Sequence, residues 1–344
     1  MQSRRVKKIV AAAITLVGLG FSFIYFIGFR KSIIPAQEGI EILIQSQTNF
    51  EDLISDLKSK QCLGDEFGFR QMSKILSFGN GKLKEGRYTV TKAMSNIEFI
   101  KKLRAGKQDA VKLKINNVRD IEQLCGKLGD QLMVDSVGFA QRFLDTVFLD
   151  SLQYKKETFL CLFIPNTYEV YWNIKPEKLI ERMKKEHESF WSKENRLQLI
   201  AEKNLNADQA YTLASIVEKE TNNDGERARI AGVYLNRLKS GMKLQADPTV
   251  VFALGLFGAQ RILFEHLSTP SPYNTYYTEG IPPGPIYMPS LSSLEAVIHA
   301  EEHDYLFFCA KPGYDGTHVF ATNLSGHAQN ANQYRKWLDE ENIK

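Results

Sequence analysis

The sequence predicts an α+β protein with one transmembrane helix at its N-terminus. Two observations indicate the class: apolar residues recur at helical spacing in several segments, and short apolar runs of strand length lie between those segments. A third observation, an uncharged stretch of 21 residues near the N-terminus, predicts the transmembrane helix. The chain has 344 residues, of which 43% are hydrophobic and 24% charged. This composition is typical of a folded protein of about two or three domains.

The uncharged stretch is Ile9–Phe29. A helix of that length spans about 30 Å, which matches the hydrocarbon core of a bilayer. Four basic residues precede it and two follow it, so we expect a cytoplasmic N-terminus and an exported remainder. A cleaved signal peptide is the alternative, but its small residues would lie at the C-terminal end of the stretch, whereas Ala11–Ala13 lie at the N-terminal end.

The formal net charge of +4 is unevenly distributed. Residues 1–31 carry six basic and no acidic side chains, whereas the rest of the chain carries 38 basic and 40 acidic ones. A slightly acidic body argues against a nucleic-acid partner. The four cysteines lack metal-type or CxxC spacing, and most of them lie beside apolar residues, so we expect buried free thiols. They are Cys62, Cys125, Cys161 and Cys309.

Residues 32–128 predict strands alternating with helices. The strand–helix order of residues 42–60 recurs in residues 111–128 at an offset of 71 residues, and chance similarity is an equal alternative. The expected strands are Ile40–Ile44, Val111–Ile115 and one entered by the turn in Lys84–Val90; the expected helices are Asn49–Lys60, Asn96–Leu103 (ended by Gly106) and Val118–Leu128.

From about residue 158 the helices are longer. A Gly-, Pro- and Tyr-rich loop is expected over residues 268–289. A buried strand is expected over Phe159–Ile164, ending in a turn at Pro165–Tyr168. The expected helices are Lys178–Asn204, Ala207–Thr221 (with Asn206 as N-cap), Arg227–Lys239 (ended by Gly241), Leu291–Glu302 and Ala328–Glu340; the expected strands are Tyr305–Ala310 and His318–Thr322.

The helix over Ala207–Thr221 carries two carboxylates that could do acid–base chemistry. Glu220 falls within the apolar face of the helix, and Glu218 lies at the edge of that face. They point about 200° apart, so they cannot share one proton as a dyad would. We expect one to be catalytic and the other structural. A carboxyl at the rim of an apolar face can have its pKa raised by burial, which suits a general acid. An ordinary helix with surface carboxylates is the alternative.

Two further motifs fit catalytic patterns. His299, Glu302 and His303 match H-x-x-E-H, in which two histidines one helical turn apart bind zinc. A charged helix end that leads into a strand explains the same residues and is the favoured interpretation. Ser240 and Lys243 match S-x-x-K, but Gly241 breaks the helix that this motif needs.

Three polar loops predict a carbohydrate-binding cleft. They are rigid with Pro and Gly and rich in amide, hydroxyl and aromatic side chains, which bond sugar hydroxyls and acetamides and stack on sugar faces. Well-capped turns are the alternative. The loops are Leu244–Thr249, Ser271–Tyr276 and Gly280–Pro285.

These linked motifs resemble the endolytic murein transglycosylases, the MltG or YceG-like family. The resemblance covers residues 160–340, where the motifs agree in order and spacing. The membrane anchor also fits the family. The module that precedes the catalytic part, which the family describes as LysM-like, fits mainly through residues 84–88. The motifs are Leu213–Thr221, Val233–Leu238, Gly241–Val250, Tyr273–Tyr276, Gly280–Ile286 and His318–Asn323.

The resemblance implies a lyase in the cytoplasmic (inner) membrane that cleaves the β-1,4 bond between N-acetylmuramic acid and N-acetylglucosamine in nascent glycan strands. The product ends in 1,6-anhydro-muramic acid and terminates elongation. One carboxyl suffices, so we expect no cofactor and no metal. The family's catalytic residue maps to Glu218, with Glu220 as the second candidate favoured by burial alone. Loop chemistry makes Gln245, Asp247, Tyr273, Asn274 and Tyr276 the candidates for lining the cleft.

The implied organisation has three parts. Residues 1–31 form the cytoplasmic tip and anchor, residues 32–157 the LysM-like module and residues 158–344 the catalytic domain. The partners are peptidoglycan glycan strands, the membrane and, by resemblance alone, peptidoglycan synthases. A catalytically silent peptidoglycan-binding or division-scaffold protein is the alternative function.

Overall fold

The computed structural model describes residues 2–258, 262–313 and 315–341. Helices and short antiparallel strand pairs mix along the chain, as expected for the α+β class. The chain forms two compact units. Unit 1 comprises residues up to 112 with 131–133 and 169–174; unit 2 comprises residues 113–130, 134–168 and those from 175 onward.

The N-terminal apolar helix is confirmed as α1 (Gln2–Phe29). Within the described residues it is the one helix long and apolar enough to cross a membrane. Its side chains are exposed from Arg4 to Phe26, and only the last turn is buried, at Ile27 and Gly28. An apolar surface of this length without protein cover indicates a candidate membrane span.

The expected elements of unit 1 occur in the predicted order, and the helix Glu66–Ile75 and the strands Lys31–Ile33 and Met94–Ser95 are present in addition. Helices α2 and α4 each begin with a capping box, at Asn49 and Ser95, and α4 ends at Gly106, whose φ is +68°. Strands β1 and β4 pair antiparallel, as do β2 and β3, and their inward residues share one core with the helices. The elements are β1 (Lys31–Ile33), β2 (Ile40–Ile44), α2 (Phe50–Ser59), α3 (Glu66–Ile75), β3 (Gly86–Val90), β4 (Met94–Ser95) and α4 (Asn96–Ala105).

Helices dominate the chain beyond α4. Strands β5 and β6 form one two-stranded sheet, and β7 and β8 form another, antiparallel one. The elements are β5 (Ala110–Ile115), α5 (Ile121–Gly129), α6 (Ser136–Phe143), α7 (Thr146–Ser151), a 3₁₀ helix (Phe159–Leu162), β6 (Asn166–Tyr171), α8 (Pro176–Ser192), α9 (Arg196–Ala201), α10 (Ala207–Glu220), α11 (Asp224–Lys239), α12 (Asp247–Leu254), α13 (Phe264–Leu267), α14 (Leu291–Ile298), β7 (Phe307–Ala310), β8 (His318–Ala321) and α15 (Leu324–Glu340).

The expected strand over Phe159–Ile164 is wrong. The segment begins with the 3₁₀ helix, and the strand β6 starts at Asn166, where a turn was expected. All six side chains of the apolar run are buried, so the run carries no periodicity that separates a strand from a buried helix. The N–H groups of Cys161 and Phe163 donate to carbonyls three residues back, which satisfies the backbone locally.

The single helix expected over Lys178–Asn204 is two helices, α8 and α9. The chain between them turns through Glu194 and Asn195, whose φ values are +54° and +55°. Arg196 stabilises the break because its guanidinium donates to the Phe190 carbonyl and pairs with Glu295 at 2.8 Å. Both sides of the break are rich in polar residues, so no change in composition marks it in the sequence.

The helix expected over Leu291–Glu302 ends at Ile298, before the H-x-x-E-H residues. The chain then lies against α11, where the Glu301 N–H donates to the Ala228 carbonyl. A Cβ on Gly232 would stand 2.5 Å from the Glu301 carbonyl oxygen, so glycine permits this close approach. Five helices, α3, α6, α7, α12 and α13, were not predicted, and the apolar residues of α12 form no helical stripe.

Candidate active site

The site is built on the last turn of α10. Residues 211–217 of this helix are buried, and the helix packs against α11, α12 and α14. The capping box at Asn206 fixes its start, and the Ser215 hydroxyl accepts the Ile286 N–H and so ties the Gly/Pro-rich loop to it. The buried helix therefore gives both candidate carboxylates defined surroundings.

Glu218 lies in a network of hydrogen bonds. Its Oε2 accepts from the Ser290 N–H at 3.0 Å and from the Ser290 and Ser293 hydroxyls at 2.6 Å each, and the Arg227 guanidinium lies 3.6 Å away. Ser290 is the N-cap of α14, so Glu218 also faces the positive end of that helix. Burial acts to raise the pKa of Glu218, but the hydrogen bonds and Arg227 together lower it.

Glu220 has the opposite environment. Its Oε1 accepts the Tyr234 hydroxyl of α11 at 2.5 Å. Burial raises the pKa of Glu220 to about 7; the Tyr234 hydrogen bond and Arg237 oppose that rise, and the charge of Asp247 adds to it. A carboxyl with this pKa can hold and release a proton near neutral pH, which suits a general acid that later acts as a base.

Two adjoining cavities in unit 2 meet at Glu220 and Asp247, because these two residues line both. The cavities measure about 540 and 280 Å³, sizes that accommodate sugar rings. Glu218 lines neither of them. The larger is also lined by Asn117, Arg119, Gln123, Lys219, Phe252, Phe257, Ile286 and Tyr287, and the smaller by Tyr234, Arg237, Gln245, Tyr276, Phe307 and His327.

Three predicted cleft residues do lie together at the smaller cavity. The Tyr276 hydroxyl donates to Asp247 Oδ1 at 2.6 Å, and burial together with that bond raises the pKa of Tyr276. Gln245 has a φ of +52°, and its side-chain oxygen accepts from Arg237 at 3.2 Å. A non-glycine residue in the left-handed region is typical of functional sites, since the surroundings must hold it there.

The other two predicted cleft residues line neither cavity. Asn274 is fully buried, and its amide nitrogen bonds the carbonyls of residues 266, 267 and 269. Tyr273 packs against Phe252 with ring centroids 4.8 Å apart, and burial raises its pKa to about 12. The geometry gives both residues the task of shaping the loop that presents Tyr276.

Tyr234, Arg237 and His327 are site residues that the sequence reasoning missed. Tyr234 and Arg237 belong to α11. In the sequence, Tyr234 is indistinguishable from an ordinary core residue and Arg237 from an ordinary surface residue. His327 stacks on Phe307 at 5.3 Å. Burial lowers the pKa of His327 and so favours the neutral imidazole. The ring lines the smaller cavity, and its buried Nδ1 has no hydrogen-bond partner among the described residues.

The H-x-x-E-H residues serve packing in the described structure. His303 Nε2 lies 2.9 Å from the Arg229 carbonyl, and Asn236 donates to the His303 carbonyl at 2.6 Å. Since the helix ends at Ile298, His299 and His303 do not share the helical turn that zinc chelation needs. The expectation of free thiols is confirmed: three of the cysteines are buried, and Cys309 is half-buried.

Comparisons with known proteins agree with this architecture. The chain matches the model of the YceG-like family over residues 42–333. A Bacillus subtilis (strain 168) protein named endolytic murein transglycosylase is 28% identical over 340 residues, which cover 92% of this chain and 91% of that protein. A Streptococcus pneumoniae serotype 2 (strain D39 / NCTC 7466) protein of the same name is 30% identical over 290 residues, 73% of this chain and 51% of that protein.

A solved structure is also similar. The crystal structure of a yceG-like protein from Listeria monocytogenes, determined at 2.6 Å, aligns with a TM-score of 0.55 and 28% identity, covering 85% of this chain and 98% of that one. The family match extends from the second strand of unit 1 into α15 of unit 2 and so includes every residue that lines the two cavities. The chain belongs to the YceG-like family.

Proposed function

We propose that the chain is a membrane-anchored lytic transglycosylase that cleaves the β-1,4 bond between N-acetylmuramic acid and N-acetylglucosamine within glycan strands of peptidoglycan. One observation carries the proposal: Glu220, a half-buried carboxyl whose pKa is raised to about 7, lies where two cavities of sugar size meet. The relatives' name, endolytic murein transglycosylase, supports the same reaction class.

Glu220 is proposed to act first as acid and then as base. Its proton passes to the glycosidic oxygen as the bond from that oxygen to C1 of the muramic acid breaks. The carboxylate then takes the proton of the C6 hydroxyl while O6 bonds to C1, which closes the 1,6-anhydro ring and restores the enzyme. No water is consumed, and a second carboxylate is not needed to activate one. New ends of this kind would terminate strand elongation.

Glu218 remains the candidate that the family resemblance predicts. Its hydrogen bonds and Arg227 hold it as an anion, which suits a base or a positioning group better than an acid. Its contacts with Ser290 and Ser293 join the end of α10 to the start of α14. The geometry therefore favours Glu220 for proton donation, and variants of both residues separate the two assignments.

The cleft residues are proposed to recognise the glycan. Asp247, Tyr276 and Gln245 line the smaller cavity together with Glu220 and offer both acceptors and donors, which sugar hydroxyls and acetamides need. Tyr273 and Asn274 act indirectly, because they hold the loop that carries Tyr276.

The organisation of the chain is proposed as follows. Residues 1–31 anchor the protein in the cytoplasmic membrane with the N-terminus in the cytoplasm. Residues 32–157 form a LysM-like module, and residues 158–344 form the catalytic domain. The family resemblance supports peptidoglycan synthases as partners, since they supply nascent strands.

The decisive experiment digests purified glycan strands with the full chain and analyses the products by mass spectrometry. Wild type, Glu220→Gln and Glu218→Gln are compared, with Glu202→Gln as a matched surface control on another helix end. We expect products with anhydro ends from wild type and the control, and a loss of at least about a thousandfold in rate for Glu220→Gln.

Other outcomes redirect the assignment. Reducing ends in place of anhydro ends contradict the transglycosylase reaction. Full activity of Glu220→Gln with loss in Glu218→Gln transfers the acid role to Glu218. No cleavage by wild type, with retained binding to strands, favours the silent scaffold.

A further inference from the structure

A basic groove lies in unit 1 beside the C-terminal end of α1. Its cavity measures about 780 Å³, and six basic side chains and one acidic side chain, Glu98, line it with a few small apolar groups. The basic residues are Lys31, Lys92, Lys101, Lys102, Arg104 and Lys107. This local excess is notable because the chain beyond residue 31 carries more acidic than basic side chains.

Most of these cations lack a partner. Lys102 is the exception, since it bonds the Thr89 carbonyl and Asp109. In the described parts of the chain the side chains of the other five donate no hydrogen bond and form no ion pair within 4 Å. Glu98 does not neutralise them by contact, because its carboxylate closes the capping box with Ser95. An unneutralised group of this size attracts anions.

The groove is held at a fixed place relative to α1. Asn96, at the start of α4, donates to the Ile27 carbonyl at 2.8 Å and accepts from the Ser32 hydroxyl at 2.6 Å. It thereby satisfies a carbonyl that the end of α1 would leave unpaired. Gly28 allows this packing, because a Cβ there would stand 2.7 Å from Ile97 and 2.8 Å from Met72. The last turn of the candidate span is thus part of the core of unit 1.

This attachment determines how far the cations lie from a bilayer that α1 crosses. Lys31 follows the end of α1 by two residues, and it pairs with Ser95 in the β1–β4 ladder. Helix α4 has ten residues and is about 15 Å long, so its basic residues lie within about 15 Å of the end of α1. The Debye length at physiological salt is about 8 Å, so charges within one to two such lengths of the headgroups act on them.

Stabilisation of the α4 dipole is the simpler explanation for part of this charge. Lys102 and Arg104 lie in the last turn of α4, where cations are favourable. Lys31 and Lys92 lie before the N-cap Ser95 of α4, at the end of the helix where its dipole disfavours cations. The dipole therefore does not account for the groove.

We propose that the basic groove binds the phosphate-bearing headgroups of anionic phospholipids in the membrane that α1 crosses. The proposal rests on the anchor in the proposed function, and it is independent of the reaction at Glu220. Basic side chains next to a membrane helix bind anionic headgroups through charge-assisted hydrogen bonds. Such binding would set the tilt of unit 1 against the bilayer, in addition to the tether that α1 supplies.

The test measures the lipids retained by the full chain in native mass spectrometry, after purification in mild detergent with equal amounts of phosphatidylglycerol and phosphatidylcholine. The groove variant carries Lys92→Gln, Lys101→Gln, Arg104→Gln and Lys107→Gln. The control variant makes the same change in charge at exposed lysines outside the groove: Lys74→Gln, Lys82→Gln, Lys184→Gln and Lys185→Gln.

We expect the ratio of retained phosphatidylglycerol to phosphatidylcholine to fall at least about fivefold in the groove variant and to stay near the wild-type value in the control. A third variant, with Lys92→Arg, Lys101→Arg and Lys107→Arg, keeps the charge and should keep the ratio. Equal ratios in wild type and the groove variant overturn the proposal. Glycan cleavage is assayed on the same samples, so a failed lipid preference with intact cleavage leaves the enzymatic proposal standing.

Discussion

At the residue scale, Glu218 and Glu220 show how two carboxylates on one helical turn acquire different chemistry. Three hydrogen bonds from serines surround Glu218, whereas Glu220 accepts one bond from within the described residues, from a buried tyrosine. Hydrogen bonds to the charged form lower a carboxyl pKa, and burial without enough of them raises it. The proton donor is therefore expected at Glu220, where burial prevails.

The pH dependence of activity follows from that pKa. Glu220 must be protonated to act as an acid, and its pKa is raised to about 7. We expect the rate of glycan cleavage to be nearly constant well below pH 7 and to fall about tenfold for each unit above it. Initial rates measured across pH 5 to 9 check this, and a profile that stays flat up to pH 9 contradicts the acid role.

Two substitutions should shift the descending limb of this pH–rate profile in opposite directions. Tyr234→Phe removes a hydrogen bond that lowers the pKa of Glu220, so the descending limb should shift to higher pH. Asp247→Asn removes a negative charge that raises the same pKa, so the limb should shift to lower pH. The pH profiles of kcat/KM distinguish this from a loss of folding, which would lower the rate at every pH without a shift.

The same residue links pH to stability. The pKa of Glu220 is higher in the folded chain, about 7, than the ordinary value of 4.5, so its stabilising effect is complete below about pH 4.5 and is lost as pH rises through about 7. The loss amounts to about 3 kcal/mol. Glu220→Gln should therefore melt at the same temperature as wild type near pH 4.5 and at a higher one at pH 8, in thermal unfolding followed by circular dichroism.

Sequence reasoning at this scale identified both carboxylates and three of the residues that line the smaller cavity. It could not rank the carboxylates by acidity, because the partners of Glu218 lie 72 and 75 residues away, at the N-cap and in the first turn of α14. His327 and Tyr234 were missed for the same reason: their importance comes from α15 and α11 meeting the same cavity. Distances between remote segments decide such questions, and a sequence pattern does not contain them.

At the scale of elements, the predicted helices were accurate where residues next to the helix in sequence cap its ends. Helices α2, α4, α5 and α10 were predicted from apolar spacing and capping residues, and each begins within a few residues of the expected position. The errors fall where tertiary contacts decide. The 3₁₀ helix is buried on all sides, and the break between α8 and α9 depends on the remote partner Glu295.

One glycine in the Gly/Pro-rich loop should be essential for the position of that loop. A Cβ on Gly284 would overlap the carbonyl of Glu157, which is backbone and cannot move aside. Gly284→Ala should therefore displace Ile286 and Tyr287 from the larger cavity and destabilise unit 2 by about 2 kcal/mol or more. Gly81→Ala is the matched control, because a Cβ there meets no atom within 4 Å and the backbone is unstrained. Melting temperatures and cleavage rates of both variants check the prediction, and equal values would contradict it.

At the scale of the whole molecule, charge is divided between an N-terminal segment and a nearly neutral body. The +6 of residues 1–31 flanks one apolar span, and four of those charges lie on its N-terminal side. Basic residues stay preferentially on the cytoplasmic side during insertion, so this asymmetry predicts the orientation of the chain. Glycan strands lie on the other side of the membrane, and the proposed reaction requires the cavities to be there as well.

A labelling experiment tests this orientation. Ser3→Cys places a thiol before the span, and Ser192→Cys places one at an exposed position of α8. In intact spheroplasts treated with a membrane-impermeant maleimide, Ser192→Cys should be labelled and Ser3→Cys should be labelled only after lysis. The wild-type chain gives the background, which should be low because three of its cysteines are buried and Cys309 is half-buried. Labelling of Ser3→Cys in intact spheroplasts would reverse the orientation and separate the cavities from their proposed substrate.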